Sequence, residues 1–278
     1  MAVPADVFAA EATVNLGSTS TFAVMAGTTI TNTGTTVING DAGGDVGLYP
    51  GSDFTGQASV TISGTVHIND TAAITATTDL VTAYNDAAGR TPATIIPSEL
   101  GGTTLVPGVY ASVDGTFQIT GTLTLDANGD PDPVFIFQMA STLITASGST
   151  VSLINGAVYC RVFWQVGSSA TLGTNSHFVG HIFALTSIAA QTGATVQGQL
   201  LARNGEVTLD NNTITNGFCA AAVTATPTPS PTTTGTPLIQ TGESGNNTII
   251  GLIMIGLAAT TILALFTKRT GKVNETQL

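Results

Sequence analysis

The sequence predicts an all-β chain built as a β-solenoid, with one α-helix laid against it. Three observations carry this. Residues 170–180 (ATLGTNSHFVG), 188–198 (IAAQTGATVQG) and 207–217 (VTLDNNTITNG) share one frame and each closes on glycine; residues 30–40 (ITNTGTTVING) fit it from far away. Windows roughly 18–20 residues apart are the period of stacked coils, each covering the face of its neighbour. From residue 14 to about 221 the chain is otherwise a series of short apolar runs broken by Gly, Asn and Asp, the punctuation of an all-β fold. One stretch alone, residues 70–88, changes period.

The expected strands are residues 22–25, 60–62, 109–111, 117–125, 134–139, 162–166, 181–185 and 200–203. The helix is expected over residues 70–88 (DTAAITATTDLVTAYNDAA), which contain no Gly or Pro. Ile74, Thr77, Val81, Tyr84 and Ala88 recur at helical spacing, Asp70 is a suitable N-cap, and Gly89 follows as a stop. Pro92 and Pro97 then mark an irregular return.

Alternate side chains of a strand point to opposite faces. Around the window starts the chain reads Thr29-Ile30-Thr31, Thr142-Leu143-Ile144, Ser169-Ala170-Thr171, Ser187-Ile188-Ala189 and Glu206-Val207-Thr208. The central residue is always apolar and is expected inside. Its neighbours are then two outward columns of mostly Thr, Ser and Ala, with Glu206 a charge at the border. A second set of columns, Thr150/Ser152, His177/Val179, Thr195/Gln197 and Ile214/Asn216, is mixed in size and ranks lower as a flat surface.

Composition narrows the function. Of 278 residues only 8% are charged and six are Lys or Arg, with a net charge of -11. Nucleic acid is excluded as a partner, because phosphate binding needs clustered basic residues. No nucleophile elbow, phosphate-binding loop or zinc motif occurs, and no cofactor is implied. Asp41, Asp45 and Asp53 are the one set of carboxylates that suggests glycoside cleavage. With one Trp and four Tyr the chain is poor in aromatic sugar platforms, so an enzyme is not expected. Residues 126–132 (DANGDPD) place oxygen ligands at alternate positions. Glycine is misplaced for a calcium loop and Phe137 stands where Glu would close it, so a turn is expected and no metal site. His67, His177 and His181 lack metal-ligand spacing; His177 and His181 straddle a coil corner.

Cys160 and Cys219 flank the last three coils. A disulfide would pin the end of the solenoid to its own body; the alternative is two buried free thiols. The bridge is expected, because the rest of the chain reads as exported. Residues 1–12 lack the basic start and apolar run of a secretory signal, so that signal is expected to lie outside this chain. After Cys219, residues 222–237 are a Pro/Thr spacer. Residues 248–266 are uncharged and apolar, and as a helix would reach about 28 Å, enough to cross a membrane. Lys268, Arg269 and Lys272 lie in the basic tail of residues 267–278, which places the C-terminus in the cytoplasm and the solenoid outside. Residues 238–243 (LIQTGE) resemble a Gram-positive cell-wall sorting signal, with Thr241 and Gly242 at the candidate sortase site. Ile239 replaces the usual proline, so a plain membrane anchor is favoured over the cell wall.

Six further strings resemble the bacterial and fungal ice-binding-protein-like family. They are residues 15–29 (NLGSTSTFAVMAGTT), 80–90 (LVTAYNDAAGR), 107–110 (PGVY), 134–138 (VFIFQ), 162–168 (VFWQVGS) and 201–214 (LARNGEVTLDNNTI), in that order across residues 13–221. The resemblance implies a right-handed, discontinuous β-solenoid of triangular cross-section with one flanking helix, its N-terminal coil placed beside C-terminal coils. It also implies adsorption to ice; with the apolar span and basic tail read above, the domain is expected to be extracellular and anchored at the cell surface. The expected ice-binding face is Thr29, Thr31, Thr142, Ile144, Ser169, Thr171, Ser187, Ala189 and Thr208. A surface adhesion module on the same solenoid, without ice activity, is the alternative.

Overall fold

The computed structural model describes residues 11–219. Most of the expected N-terminal segment (1–12), the Pro/Thr spacer (222–237), the sorting-like motif with Thr241 and Gly242, the apolar span (248–266) and the basic tail (267–278) lie outside the described residues. Among the described residues no helix is long and apolar enough to cross a membrane.

The described chain is mostly β, in parallel sheets, with one α-helix. Its strands fall into three stacks. Seven short strands form a sheet of their own, in the order Phe117–Ile119, Leu143–Thr145, Ala170–Leu172, Ile188–Ala190, Val207–Asp210, Thr29–Thr33 and Asp53–Thr55. This is the bare face. A fifteen-stranded sheet supplies the other two stacks. Its strands His177–Ala184 and Thr195–Ala202 run through both, bending at Gly180 and Gly198, which are paired and have φ of 110° and 144°. Only glycine adopts such angles without strain, and a Cβ on Gly198 would collide with the Gly180 carbonyl. The first limb, here the second face, includes Thr122–Asp126, Thr150–Ile154, Thr213–Thr215 and Thr36–Asn39; the other, the helix face, includes Phe135–Met139, Val162–Val166, Phe22–Ala26 and Asp45–Leu48.

Coil order is not chain order. Ile30 pairs with Val207 on one side and Phe54 on the other, and Val24 pairs with Leu200. The N-terminal coils therefore continue the stack from the last C-terminal coil. The lumen is filled by inward residues of all three stacks, including Ile30, Leu143, Ile188, Phe178 and Trp164. Phe137 stacks on Trp164 at 4.0 Å between centroids, and the buried indole N–H donates to the Val179 carbonyl at 3.0 Å.

The helix spans Thr71–Gly89, and Asp70 caps it by accepting from the Ala73 N–H at 2.9 Å. Its buried face is Ala73, Ala76, Leu80, Ala83, Tyr84 and Ala87, whereas Ile74 is 41% exposed. The expected face was thus rotated: Tyr84 belongs to it, but small alanines fill the contact. They let the helix seat closely over Met25, Phe163, Phe183 and Leu201. Gln138 caps the other end, donating from Nε2 to the carbonyls of Ala87 at 2.8 Å and Arg90 at 2.9 Å. Arg90 in turn binds the Asp86 and Glu11 carboxylates and the Ala12 carbonyl, so residues 11 and 12 are tied to the helix end.

Candidate functional site

The bare face is built by register. Ile144 pairs with Gln118 and Thr171, Thr171 with Ala189, Ala189 with Thr208, Thr208 with Thr31, and Thr31 with Thr55. These residues form one outward column. Directly behind it the inward partners Phe117, Leu143, Ala170, Ile188, Val207 and Ile30 are each no more than 1% exposed. Seven strands about 4.8 Å apart make this column roughly 29 Å long. Thr31, Thr171, Ala189 and Thr208 are half-buried among their neighbours, and Ile144 is 45% exposed.

A parallel column holds Thr142, Ser169, Ser187, Glu206, Thr29 and Asp53. Some of its hydroxyls are already engaged. Ser169 Oγ accepts from the Ser187 N–H at 3.3 Å, and Ser187 Oγ from the Glu206 N–H at 3.2 Å. These bonds run between coils and fix the serine rotamers. Thr29 Oγ1 reaches the Glu206 carboxylate at 3.5 Å. The structure therefore gathers all nine sequence-derived face residues, Thr29, Thr31, Thr142, Ile144, Ser169, Thr171, Ser187, Ala189 and Thr208, on one sheet. It adds Gln118, Thr55 and Asp53, which sequence reasoning missed. Phe117 lies 26 residues before Leu143 and Phe54 lies 24 after Ile30.

The second face carries a threonine column in which the sequence reading placed Thr150, His177 and Thr195 and misplaced only the last coil. Thr122, Thr150, His177, Thr195, Thr213, Val37 and Thr61 are in register. Ile214 and Asn216 are not outward; both are buried, and Thr213 and Thr215 face out. The cause is a turn one residue shorter after Val207–Asp210, held by buried Asn212, whose Nδ2 donates to the carbonyls of Gln191 at 2.9 Å and Ala194 at 3.0 Å. A one-residue slip exchanges the faces of a strand. This face is not level: His177, Val179, Thr195, Gln197 and Thr215 line a trough of about 350 Å³.

The remaining candidates disperse. Asp53 is at the end of the bare face, Asp45 Oδ1 accepts from the Thr65 N–H at 2.8 Å, and Asp41 lines a cleft with Tyr159 and Phe218. The carboxylates are not assembled around one point. Asp126 Oδ1 and Asp130 Oδ1 accept from the backbone N–H two residues on, so residues 126–132 are Asx turns. Among the described residues no group of three or more His, Cys, Asp or Glu could hold a metal ion. His177 is exposed on the second face, its Nδ1 2.8 Å from Thr195 Oγ1, while His181 is buried on the helix face. Cys160 and Cys219 are joined in a disulfide.

Comparison with known proteins agrees with this architecture. A family model described as ice-binding-like matches residues 24–215. An ice-binding protein of Nostoc sp. (strain HG1) is 46% identical over 203 residues, covering 72% of this chain and 73% of its own length. One from Flavobacterium frigoris (strain PS1) is 34% identical over 220 residues, covering 73% and 76%. The crystal structure of an ice-binding protein from the Antarctic ascomycete Antarctomyces psychrotrophicus superposes with a TM-score of 0.70 at 43% identity, covering 75% of this chain and 100% of that one. Another, from an Antarctic biological consortium, gives a TM-score of 0.72 at 44% identity, covering 77% and 96%. With its coils, its discontinuous pairing and its helix in place, the chain belongs to the ice-binding-like family.

Proposed function

We propose that this chain is an ice-binding protein that adsorbs to ice through the bare face. The observation that carries the reading is the in-register column Ile144, Thr171, Ala189, Thr208, Thr31. Its side chains are short, mostly β-branched and fixed by packing against a filled lumen. Methyl groups on such a surface hold ordered water and hydroxyls anchor it, so the layer merges with an ice plane. Ice then bulges between adsorbed molecules, and that curvature opposes further growth or recrystallisation. No cofactor and no bond-making chemistry enter. The winding is right-handed, as parallel β-crossover connections nearly always are, and three stacks around one lumen give a triangular section.

The second face is a second reading for the contact surface, favoured by five threonines in its outer column. The trough at Val179 argues against it, because a level ice plane would leave that depression unfilled.

Anchoring follows from the sequence. An apolar segment at 248–266 followed by Lys268, Arg269 and Lys272 retains the solenoid on the outer surface of the cell, with Thr241 and Gly242 the residues that a sortase would use for attachment to the cell wall. Tethering favours holding the cell on ice over acting as a diffusing inhibitor.

Ice recrystallisation assays on folded, disulfide-intact protein test the reading. Inhibition at micromolar protein is the expected result. Unaltered grain growth would transfer the solenoid to the adhesion alternative, in which saturable binding to surface polymers at room temperature replaces ice.

A further inference from the structure

The seam where N-terminal coils meet the last C-terminal coil lies on the path of any force applied through the C-terminus. Thr213–Thr215 pairs with Thr195–Ala202 on one side and Thr36–Asn39 on the other. Val207–Asp210 pairs with Ile188–Ala190 and Thr29–Thr33. These two strands are the last of the described residues, and they alone bridge the C-terminal stack to the N-terminal coils on the bare and second faces. Pulled from the C-terminal side they would peel in sequence, and the bare face would part between Ala189 and Thr31.

The chain is fastened just beyond them. The Asn216 N–H donates to the Asn39 carbonyl at 2.8 Å, and its side-chain amide donates to the carbonyls of Ser20 at 2.9 Å and Gly43 at 3.2 Å. Tyr159 Oη donates to the Phe218 carbonyl at 3.1 Å. Cys219 is then bonded covalently to Cys160, immediately before Val162–Val166. That strand is paired on both sides, and its Phe163, Trp164 and Val166 are fully buried. Beyond Cys219 the sequence continues to residue 278 through the Pro/Thr spacer and the apolar segment.

We propose that the Cys160–Cys219 disulfide is a mechanical clamp. It delivers tension from the C-terminal segment to Val162–Val166 in the middle of the stack, so that Thr213–Thr215 and Val207–Asp210 carry none of it and the seam stays closed under load. The proposal rests on the anchored reading for its purpose, because only a tethered solenoid held on ice is pulled in this way. Its physical content is independent of ice.

Single-molecule pulling on the full chain tests it. One handle is attached through a peptide tag inserted at the exposed Asn128–Gly129 turn, the other at the C-terminus. For the parent, no early release of the seam is expected. For the double variant Cys160→Ser/Cys219→Ser, and for parent reduced with dithiothreitol after folding, an added first step at lower force is expected. It releases Val207–Cys219, roughly 45 Å of extended chain. A control geometry pulls between the same turn and the N-terminus, avoiding the C-terminal path, and circular dichroism confirms that each sample is folded. The clamp predicts that reduction leaves the control force unchanged. Loss of strength in both geometries would mean that the bridge stiffens the whole native solenoid and does not route the load, and that result, like identical first steps with and without it, would overturn the proposal. Either result leaves the recrystallisation assay, and thus the ice reading, to be judged separately.

Discussion

His181 is fully buried between the rings of Phe163 and Tyr159, and among the described residues neither of its ring nitrogens has a hydrogen-bond partner. Burial therefore pushes its pKa from 6.5 down to about 4, with the Cys160 backbone and the Gln199 amide close enough to oppose this only weakly. The folded state holds it neutral while the unfolded chain protonates it near 6.5. Stability is fully present above that pH, falls by about 1.4 kcal/mol per unit on acidification toward 4, and levels off for this group below. His181→Phe, which keeps the aromatic packing, should flatten that slope; urea denaturation at pH 7, 6 and 5 measures it. Asp79 adds a separate loss at lower pH. Hydrogen bonds from the Ser18 hydroxyl and N–H lower its pKa, so its contribution fades as pH falls below the ordinary carboxylate range. At the corner of the coil, Gly198→Ala places a Cβ against the Gly180 carbonyl and should cost at least about 2–3 kcal/mol, read as a lowered urea midpoint.

At the scale of elements, the helix shows what local signals carry. Asp70, the glycine-free run and Gly89 delimit it to within a residue. Its buried face was not legible, because Ala73, Ala76, Ala83 and Ala87 are weak markers of hydrophobicity and Ile74 is a strong one. Only the surface the helix packs on decides between them. Two measurements follow. Asp70→Ala should destabilise by about 1 kcal/mol through loss of the cap. Ala83→Leu should cost about 1–3 kcal/mol through overpacking, whereas Ile74→Ala, on the exposed side, should cost much less. The strand expected over 117–125 is two strands, Phe117–Ile119 and Thr122–Asp126, parted at Gly121 with φ of 81°. Continuous apolar alternation hid a corner that glycine made. On the second face the windows fixed the period but not the one-residue deletion before Thr213, since a periodic alignment has no term for turn length. The bare face was legible for the opposite reason: its outward triplets begin each window, before any turn can shift them.

Over the whole solenoid, stability and function meet at the seam. Stacked coils cover each other, so the structure is strong wherever neighbours are consecutive and depends on non-local pairing where Ile30 meets Val207. The disulfide closes a loop of 59 residues in sequence separation, for which chain entropy alone gives about 4 kcal/mol. Reduction without load should therefore lower the thermal midpoint while leaving the bare face intact in the folded fraction. The discontinuity was legible through the family resemblance, with which the shared frame of residues 30–40 and the C-terminal windows is consistent; no local rule would have placed them there. The account as a whole stands on the bare face being the surface that meets ice. The measurement that tests it most directly is thermal hysteresis of the parent, Thr171→Tyr and Thr195→Tyr at equal concentration, each shown to be folded. Thr171 lies mid-column on the bare face and Thr195 mid-column on the second. The account predicts that Thr171→Tyr abolishes hysteresis and crystal shaping while Thr195→Tyr retains both. Retained activity in Thr171→Tyr with loss in Thr195→Tyr would contradict it and move the ice-binding surface to the second face.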